Sequence, residues 1–217
     1  MKQKTLFILA AVVLLLAFAL TTLYYTSTQQ EEATQAAALN QELLLRMHSP
    51  TLGPAEAKVL IVEFFDPACE TCRDFYPFVK QLMAAHTGRI RLAMRYTPFH
   101  EGSDQVVKIL EAARMQGKYW ETLEALYAAQ DSWVVHHRVQ PDRVWDALAG
   151  VGLDLERVRQ DMASPAIAAL IAQDLRDAEA LNVTKTPEFF VNGQPMPSFG
   201  YGQLQTLVEE AVGQAYR

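Results

Sequence analysis

Two cysteines, Cys69 and Cys72, stand three apart in the stretch FFDPACETCRDF, and the chain holds no others. Such a pair has three physical readings: a dithiol that cycles through a disulfide, half of a metal site, or two small apolar side chains in a core. A structural zinc site needs four ligands. There is no third cysteine, and His136 and His137 are adjacent in sequence, which sends their side chains in different directions. His48, His86 and His100 are scattered and read as ordinary surface or packing residues. The pair falls at a strand-to-helix junction and not on an apolar face, which weighs against simple packing. A thiolate is the nucleophile of disulfide exchange, and Cys69 stands at the beginning of a helix running from Arg73 to Ala85. Unpaired backbone N–H groups and the helix dipole favour negative charge there, so the Cys69 pKa should fall. Cys72, one turn on and facing inward, is placed to attack a mixed disulfide at Cys69 and release the partner.

The elements that must hold this pair are legible from periodicity. Val59 to Phe65 (VLIVEFF) is an apolar, β-branched and aromatic run bounded by turn residues, hence a buried strand. After the cysteines, Phe75, Phe78, Val79, Leu82 and Met83 recur at a helical period until Gly88, and Ile90 to Tyr96 alternates as a second strand. These make a βαβ unit. Helices then follow one another: from Ser103, as a cap, to Met115; Tyr119 to Ala129 after Gly117; one opened by Pro141; Leu155 to Met162 capped by Asp154; and one from Ser164-Pro165 to about Leu181, stopped by Asn182. Glu188 to Val191 and Gln194 to Met196 flank Asn192-Gly193, a strong hairpin signal, and a helix from Gln203 to about Ala215 closes the chain.

At 217 residues, one main domain with appendages is expected. A net charge of −6 without a basic run gives no electrostatic footprint for nucleic acid. The amino end differs from the rest. Lys2 and Lys4 precede an uncharged apolar stretch, 5–25, that as a helix covers roughly 30 Å, a bilayer core. The lysines keep the amino terminus cytoplasmic and send the remainder across the membrane, with Tyr24 and Tyr25 at the interface. Ala17-Phe18-Ala19 offers a signal cleavage site, but the apolar run continues through Leu20 and Leu23, which favours a retained signal-anchor. A polar, alanine-rich spacer, 26–50, then turns into a helix carrying Leu39, Leu43, Leu44 and Met47 that packs on the domain, until Ser49 to Pro54 breaks it.

Further residues link these parts. Glu63 lies six before Cys69, and Pro77 lies five after Cys72. GPAEAKVLIVEFFDPACETC leads in, and Thr186-Pro187 precedes EFFVNG. On those residues the chain from about Leu52 to its end resembles the DsbA-like thiol-disulfide oxidoreductases of the thioredoxin superfamily. The resemblance implies an α/β thioredoxin-like fold over 51–217 with an inserted helical domain at about 101–183, preceded by the transmembrane helix, 1–25. It implies that Cys69 and Cys72 are the redox pair and that Glu63 is a buried carboxyl of raised pKa that takes the Cys72 proton; a strand-end glutamate reaching solvent is the plainer alternative. It implies a cis Pro187 whose loop lies against Cys69, with the Thr186 backbone pairing with an extended substrate; a strand-initiating proline is the plainer reading. Phe65, Phe75, Phe99, Phe189 and Phe190 would be largely core with some apolar floor for peptides, and Trp120, Trp133 and Trp145 would be packing.

The sequence departs from the family between the cysteines, where Glu70 and Thr71 replace the Pro-His pair of the strong oxidants and tune the thiolate. Glu70, Asp66 and Asp74 oppose the thiolate with only Arg73 to compensate, so a Cys69 pKa in the upper part of the range of roughly 3.5–7.5 is expected. The disulfide should then be less oxidising than that of DsbA. The expected partners are thiols and disulfides of secreted or periplasmic proteins and a membrane redox partner, either a quinone-linked oxidase or an electron donor. The expected setting is the inner membrane, single-pass, with the catalytic domain facing the periplasm or cell exterior, and with no cofactor and no metal. The insertion favours oxidation of substrates. A reductase or isomerase of the same fold, and a non-catalytic membrane-tethered client-binding factor, remain as alternatives; glutathione-transferase relatives do not need the second cysteine.

Overall fold

The structure is a computed structural model that describes residues 41–217. The chain divides into two units, Met1–Glu42 and Leu43–Arg217. The expected anchor and most of the spacer lie outside the described residues, among which no helix is long and apolar enough to cross a membrane. Residues 41–44 are helical. That helix stops before Met47, which is fully exposed, so the expected apolar stripe does not reach it, whereas Leu44 is buried.

The strands in chain order are β1 (Thr51–Leu52), β2 (Val59–Phe65), β3 (Ile90–Tyr96), β4 (Val134–Val135), β5 (Arg138–Val139), β6 (Glu188–Val191) and β7 (Gln194–Pro195). Five of them form one sheet in the order β1-β3-β2-β6-β7. β2 and β3 are parallel, while β6 runs antiparallel to β2. β2 reads as a continuous apolar run because it is central and covered on both faces. Val59, Ile61 and Phe65 enter the larger core, and Val62 and Phe64 enter a second one with Leu44, Ala178, Val183 and Phe190. Glu63 is two residues from both Ile61 and Phe65 and therefore points into the larger core.

Helix α1 (Glu70–Ala85) follows β2 and buries Cys72, Phe75, Tyr76, Val79 and Leu82 on one face. The closing helix α8 (Tyr201–Ala215) buries Leu204, Val208 and Val212 in the same core. Between β3 and β6 come α2 (Ser103–Met115), α3 (Tyr119–Ala128), α4 (Gln130–Trp133), α5 (Pro141–Ala147), α6 (Leu155–Asp161) and α7 (Pro165–Ala180). This is the expected helical insertion. Asp154 and Ser164 cap α6 and α7 by accepting from Arg157 N and Ala166 N, and Pro141 and Pro165 occupy first turns.

Four expectations are corrected. Thr51–Leu52 is a strand paired with β3 where only a helix breaker was read. Gly53 serves the turn after it at φ +94, and a Cβ there would meet Ile90 O at 2.5 Å. The insertion is not helical throughout, because β4 and β5 form a hairpin whose turn residues, His136 and His137, both have positive φ. No Asn or Gly announces that turn. Ser103 is not a cap: Gly102 holds the cap position in the left-handed region and the Ser103 hydroxyl is spent on Asp66. Helices α1 and α8 begin at Glu70 and Tyr201, earlier than read from their apolar periods.

A buried ionic cluster ties α7 to β3. Arg95 is fully buried, with Nε 3.0 Å from Asp174 Oδ1 and Nη2 2.5 Å from Asp177 Oδ2, and its Nη1 donates to the carbonyls of Leu43 and Leu44. Asp174 also accepts from Tyr96 N at 2.8 Å and lies 2.6 Å from His48 Nε2. His48 is thus an anchor of the residue 43–49 segment and not a free surface histidine.

Candidate active site

The turn between β2 and α1 is built on Asp66, which is fully buried. Its Oδ1 accepts from Ala68 N at 2.8 Å, its carbonyl accepts from Cys69 N at 3.0 Å, and its Oδ2 accepts from His100 N at 2.8 Å. The His100 ring nitrogen Nδ1 lies 2.7 Å from the same carboxylate, and Ser103 Oγ donates to it. The turn delivers Cys69 to the N-cap position of α1, with extended backbone, so the first N–H groups of the helix face its sulfur. Gln130, buried at the start of α4, donates from Nε2 to the carbonyls of Pro67 and Cys69 at 2.8 and 3.2 Å, tying the insertion to the turn.

The two sulfurs differ in environment. Cys69 is 6% exposed and Cys72 is fully buried, and both are free thiols. A hydrogen bond from Cys72 is the largest influence on Cys69; with the Thr186 side chain and the N–H groups of Cys72 and Thr71 it outweighs burial and lowers the pKa to about 6. The contact of Cys69 Sγ with Thr186 O at 3.4 Å acts the other way, since a carbonyl accepts only from the protonated thiol. Cys72 is raised well above an ordinary thiol, first by burial and then by donating to Cys69. One sulfur, barely reaching the surface, is a thiolate near neutrality, and the other, fully enclosed, keeps its proton.

Glu63 lies in the same core with no exposure, and neither carboxylate oxygen has a partner among the described residues. Burial, and secondarily the Cys69 charge, raise its pKa to about 8. The strand-end alternative is therefore excluded. The Thr186–Pro187 peptide is cis, and the loop it shapes touches Cys69 through Thr186.

The Cys69 pKa of about 6 falls within the expected range, but the charges invoked for it are not its leading causes. Asp66 is consumed in the turn, and Arg73 pairs with Asp131 at 2.5 Å and with Asp74 at 3.2 Å. Glu70 Oε1 lies 3.6 Å from His137 Nδ1. None of these groups is among the causes of the Cys69 shift, and Thr71 acts only through its backbone N–H. Sequence reasoning missed Gln130, His100 and His137 at the site and gave Asp66 and Ser103 other roles, and these residues come from segments up to 71 positions apart. The buried phenols Tyr119 and Tyr127 also feel the Glu63 charge. An exposed aromatic ledge lies beside the loop. Phe199 and Tyr201 are about half exposed, Tyr201 stacks on Phe75 at 4.1 Å, and Lys185 Nζ sits 5.6 Å from the Phe199 ring. Of the five expected floor residues only Phe99 is exposed; the others are core. Trp133 is buried as packing, with its Nε1 donating to Leu126 O at 2.9 Å.

The family described as Thioredoxin matches residues 45–210. A solved thioredoxin-like oxidoreductase from Silicibacter pomeroyi DSS-3 is 35% identical, with a TM-score of 0.68 over 78% of this chain and 95% of that one. Alpha-DsbA1 of Wolbachia pipientis shares the fold at 19% identity, with a TM-score of 0.71 over 81% of this chain and 96% of that one. Among curated proteins, the Na(+)/H(+) antiporter NhaA 3 of Salinispora tropica is 34% identical over 65% of this chain and 21% of its own length. The Na(+)/H(+) antiporter NhaA of Herminiimonas arsenicoxydans is 30% identical over 73% of this chain and 25% of its own. The chain spans about a fifth to a quarter of the length of these curated relatives.

Proposed function

The chain belongs to the thioredoxin family, and from that premise we propose that it is a membrane-anchored, extracytoplasmic thiol-disulfide oxidoreductase acting on secreted or periplasmic proteins through Cys69 and Cys72. The observation that carries the reading is the asymmetry of the pair: a sulfur of pKa about 6 at a helix N-terminus, 6% exposed, beside a fully buried sulfur whose pKa is raised.

In the reducing direction the Cys69 thiolate attacks one sulfur of a substrate disulfide. A Cys69–substrate S–S bond forms, and the other substrate sulfur leaves as a thiolate. Once the mixed disulfide has removed the Cys69 charge, which helps hold Glu63 protonated, the ionised Glu63 takes the Cys72 proton, and Cys72 attacks Cys69 Sγ, expelling the second substrate sulfur and leaving a Cys69–Cys72 disulfide. Two electrons pass to the substrate. Oxidation of a substrate dithiol is the same path reversed and is the direction we propose, with a quinone-linked membrane protein restoring the disulfide. The backbone of Thr186, in the bend before β6, offers pairing groups for a substrate strand, and the ledge of Phe199 and Tyr201 offers apolar contact for an unfolded chain. The hydrophobic stretch 5–25 supports the anchor, and the presence of a similar segment inside chains named as Na(+)/H(+) antiporters accords with a membrane setting.

The test is trapping. In Cys72→Ser, resolution is blocked and mixed disulfides through Cys69 should accumulate on client proteins; Cys69→Ser should trap none and lose function. A client-binding factor would instead keep its function with Cys69→Ser. Thiol trapping in cells gives the direction: a pair held mostly as disulfide marks an oxidant, and a pair held mostly as dithiol marks a reductase or isomerase.

A further inference from the structure

Three side chains converge on the rim of the dithiol from three separate segments: Glu70 in the first turn of α1, His100 in the loop before α2, and His137 at the tip of the β4–β5 hairpin. One ligating atom from each lies within 4.8 Å of the other two. Their juxtaposition is enforced by the fold. Val139 N donates to Glu101 O at 3.0 Å, Glu101 bridges to Arg138, and their side chains pair at 3.1 Å, which holds the hairpin against the His100 loop. Gly102 permits the approach, since a Cβ there would come 3.1 Å from Val139 Cβ.

The orientation of each ring suits ligation. His100 Nδ1 is engaged by Asp66 Oδ2 at 2.7 Å, leaving Nε2 as its available lone pair. A carboxylate behind a histidine is the arrangement that orients metal-bound imidazoles. His137 Nδ1 stands 3.6 Å from Glu70 Oε1, and the two imidazole rings are 6.0 Å apart at 30°. Ligands at about 2.0–2.2 Å around one tetrahedral ion lie roughly 3.3 Å from each other. Closing from 4.8 Å therefore asks for a contraction of about 1.5 Å, within the rotamer freedom of Glu70 and His137, whose side chains are 41% and 74% exposed. Two imidazoles and one carboxylate suit zinc or copper, whereas magnesium and calcium prefer oxygen alone.

We propose that Glu70, His100 and His137 bind a divalent transition-metal ion, of the zinc or copper class, on the rim of the dithiol, with the remaining coordination open to water. Neither cysteine is a ligand, so the site stands independently of the redox reading and of the four-ligand, cysteine-based zinc site that the sequence argues against.

The experiment titrates zinc chloride by calorimetry into the full chain in detergent, with Cys69 and Cys72 closed as a disulfide so that no thiolate competes. One ion per chain should bind, with a Kd in the micromolar range. His137→Asn, which suits the positive φ of the turn, and Glu70→Gln should each weaken binding at least about tenfold. His136→Asn, on the same turn, should not. A copper-loaded sample should show two coordinated nitrogens by electron paramagnetic resonance, reduced to one in His137→Asn, with urea midpoints unchanged as evidence of an intact fold. The proposal is overturned by absence of binding up to millimolar zinc, by His137→Asn and Glu70→Gln binding as tightly as the parent chain, or by His136→Asn weakening binding equally. Loss of redox function in Cys69→Ser with zinc binding retained would separate the two proposals.

Discussion

Replacing Glu63 by Gln tests whether its carboxyl is held protonated by burial. The side chain is fully buried, lacks partners among the described residues, and moves from an ordinary 4.5 to about 8 on folding. The folded state thus holds the proton more tightly than the unfolded state, so stability falls as pH rises from about 4.5 and stops falling above about 8. At 1.36 kcal/mol per pH unit the full loss is about 5 kcal/mol, of which about 3 has accrued by pH 7 and about 1 by pH 5. Gln does not titrate. Urea unfolding of the reduced parent chain and of reduced Glu63→Gln across pH 5 to 8.5 should show the variant gaining on the parent by about 3–4 kcal/mol over that span. Cys69 titrates in both proteins and largely cancels in the difference, and any fixed cost of burying the amide shifts the offset but not the slope. A difference that stays flat with pH would mean that Glu63 ionises in the fold as it does in water, which would also remove its case as the base for Cys72.

Titration of thiolate absorbance in the reduced protein should give a Cys69 midpoint near 6, with the alkylation rate rising through the same pH; a midpoint below about 5 or above about 8 would contradict the hydrogen-bonding account. That low folded pKa stabilises the reduced protein increasingly as pH rises from about 6 toward the unfolded thiol value, opposite in sign to Glu63. Glu70→Gln should move the Cys69 midpoint by less than about half a unit, because Glu70 faces His137 and is not among the causes of the shift; a larger change would restore the acidic-neighbour argument. Arg95→Leu should cost about 3–5 kcal/mol in urea unfolding by leaving Asp174 and Asp177 buried without their shared cation, and a loss under about 1 would show that Arg46 and His48 suffice. Gln130→Ala should cost about 1–3 kcal/mol and loosen the Cys69 turn, read as faster amide exchange at Ala68 and Cys69.

Local chemistry determined much of this protein from sequence alone. The apolar run of β2, the helical period after Cys72, the Asn192-Gly193 turn and the caps at Asp154 and Ser164 are each set by residues within a few positions of one another, and they appear where their types require. The Cys69–Cys72 spacing at a helix start fixed which sulfur faces the helix N–H groups. The long-range partnerships were not legible. His100 reaches Asp66, Gln130 reaches the Cys69 carbonyl, and His137 reaches Glu70, because a hairpin without turn-type residues docks on a loop through one backbone bond and one ion pair. Charge counting along the chain therefore placed Asp66 and Glu70 against the thiolate, while the fold turned the first into the scaffold of the turn and aimed the second at an imidazole. Sequence distance gives the neighbours of a side chain within one helix or strand; only the packing of separate elements decides which way a carboxylate points and what it meets.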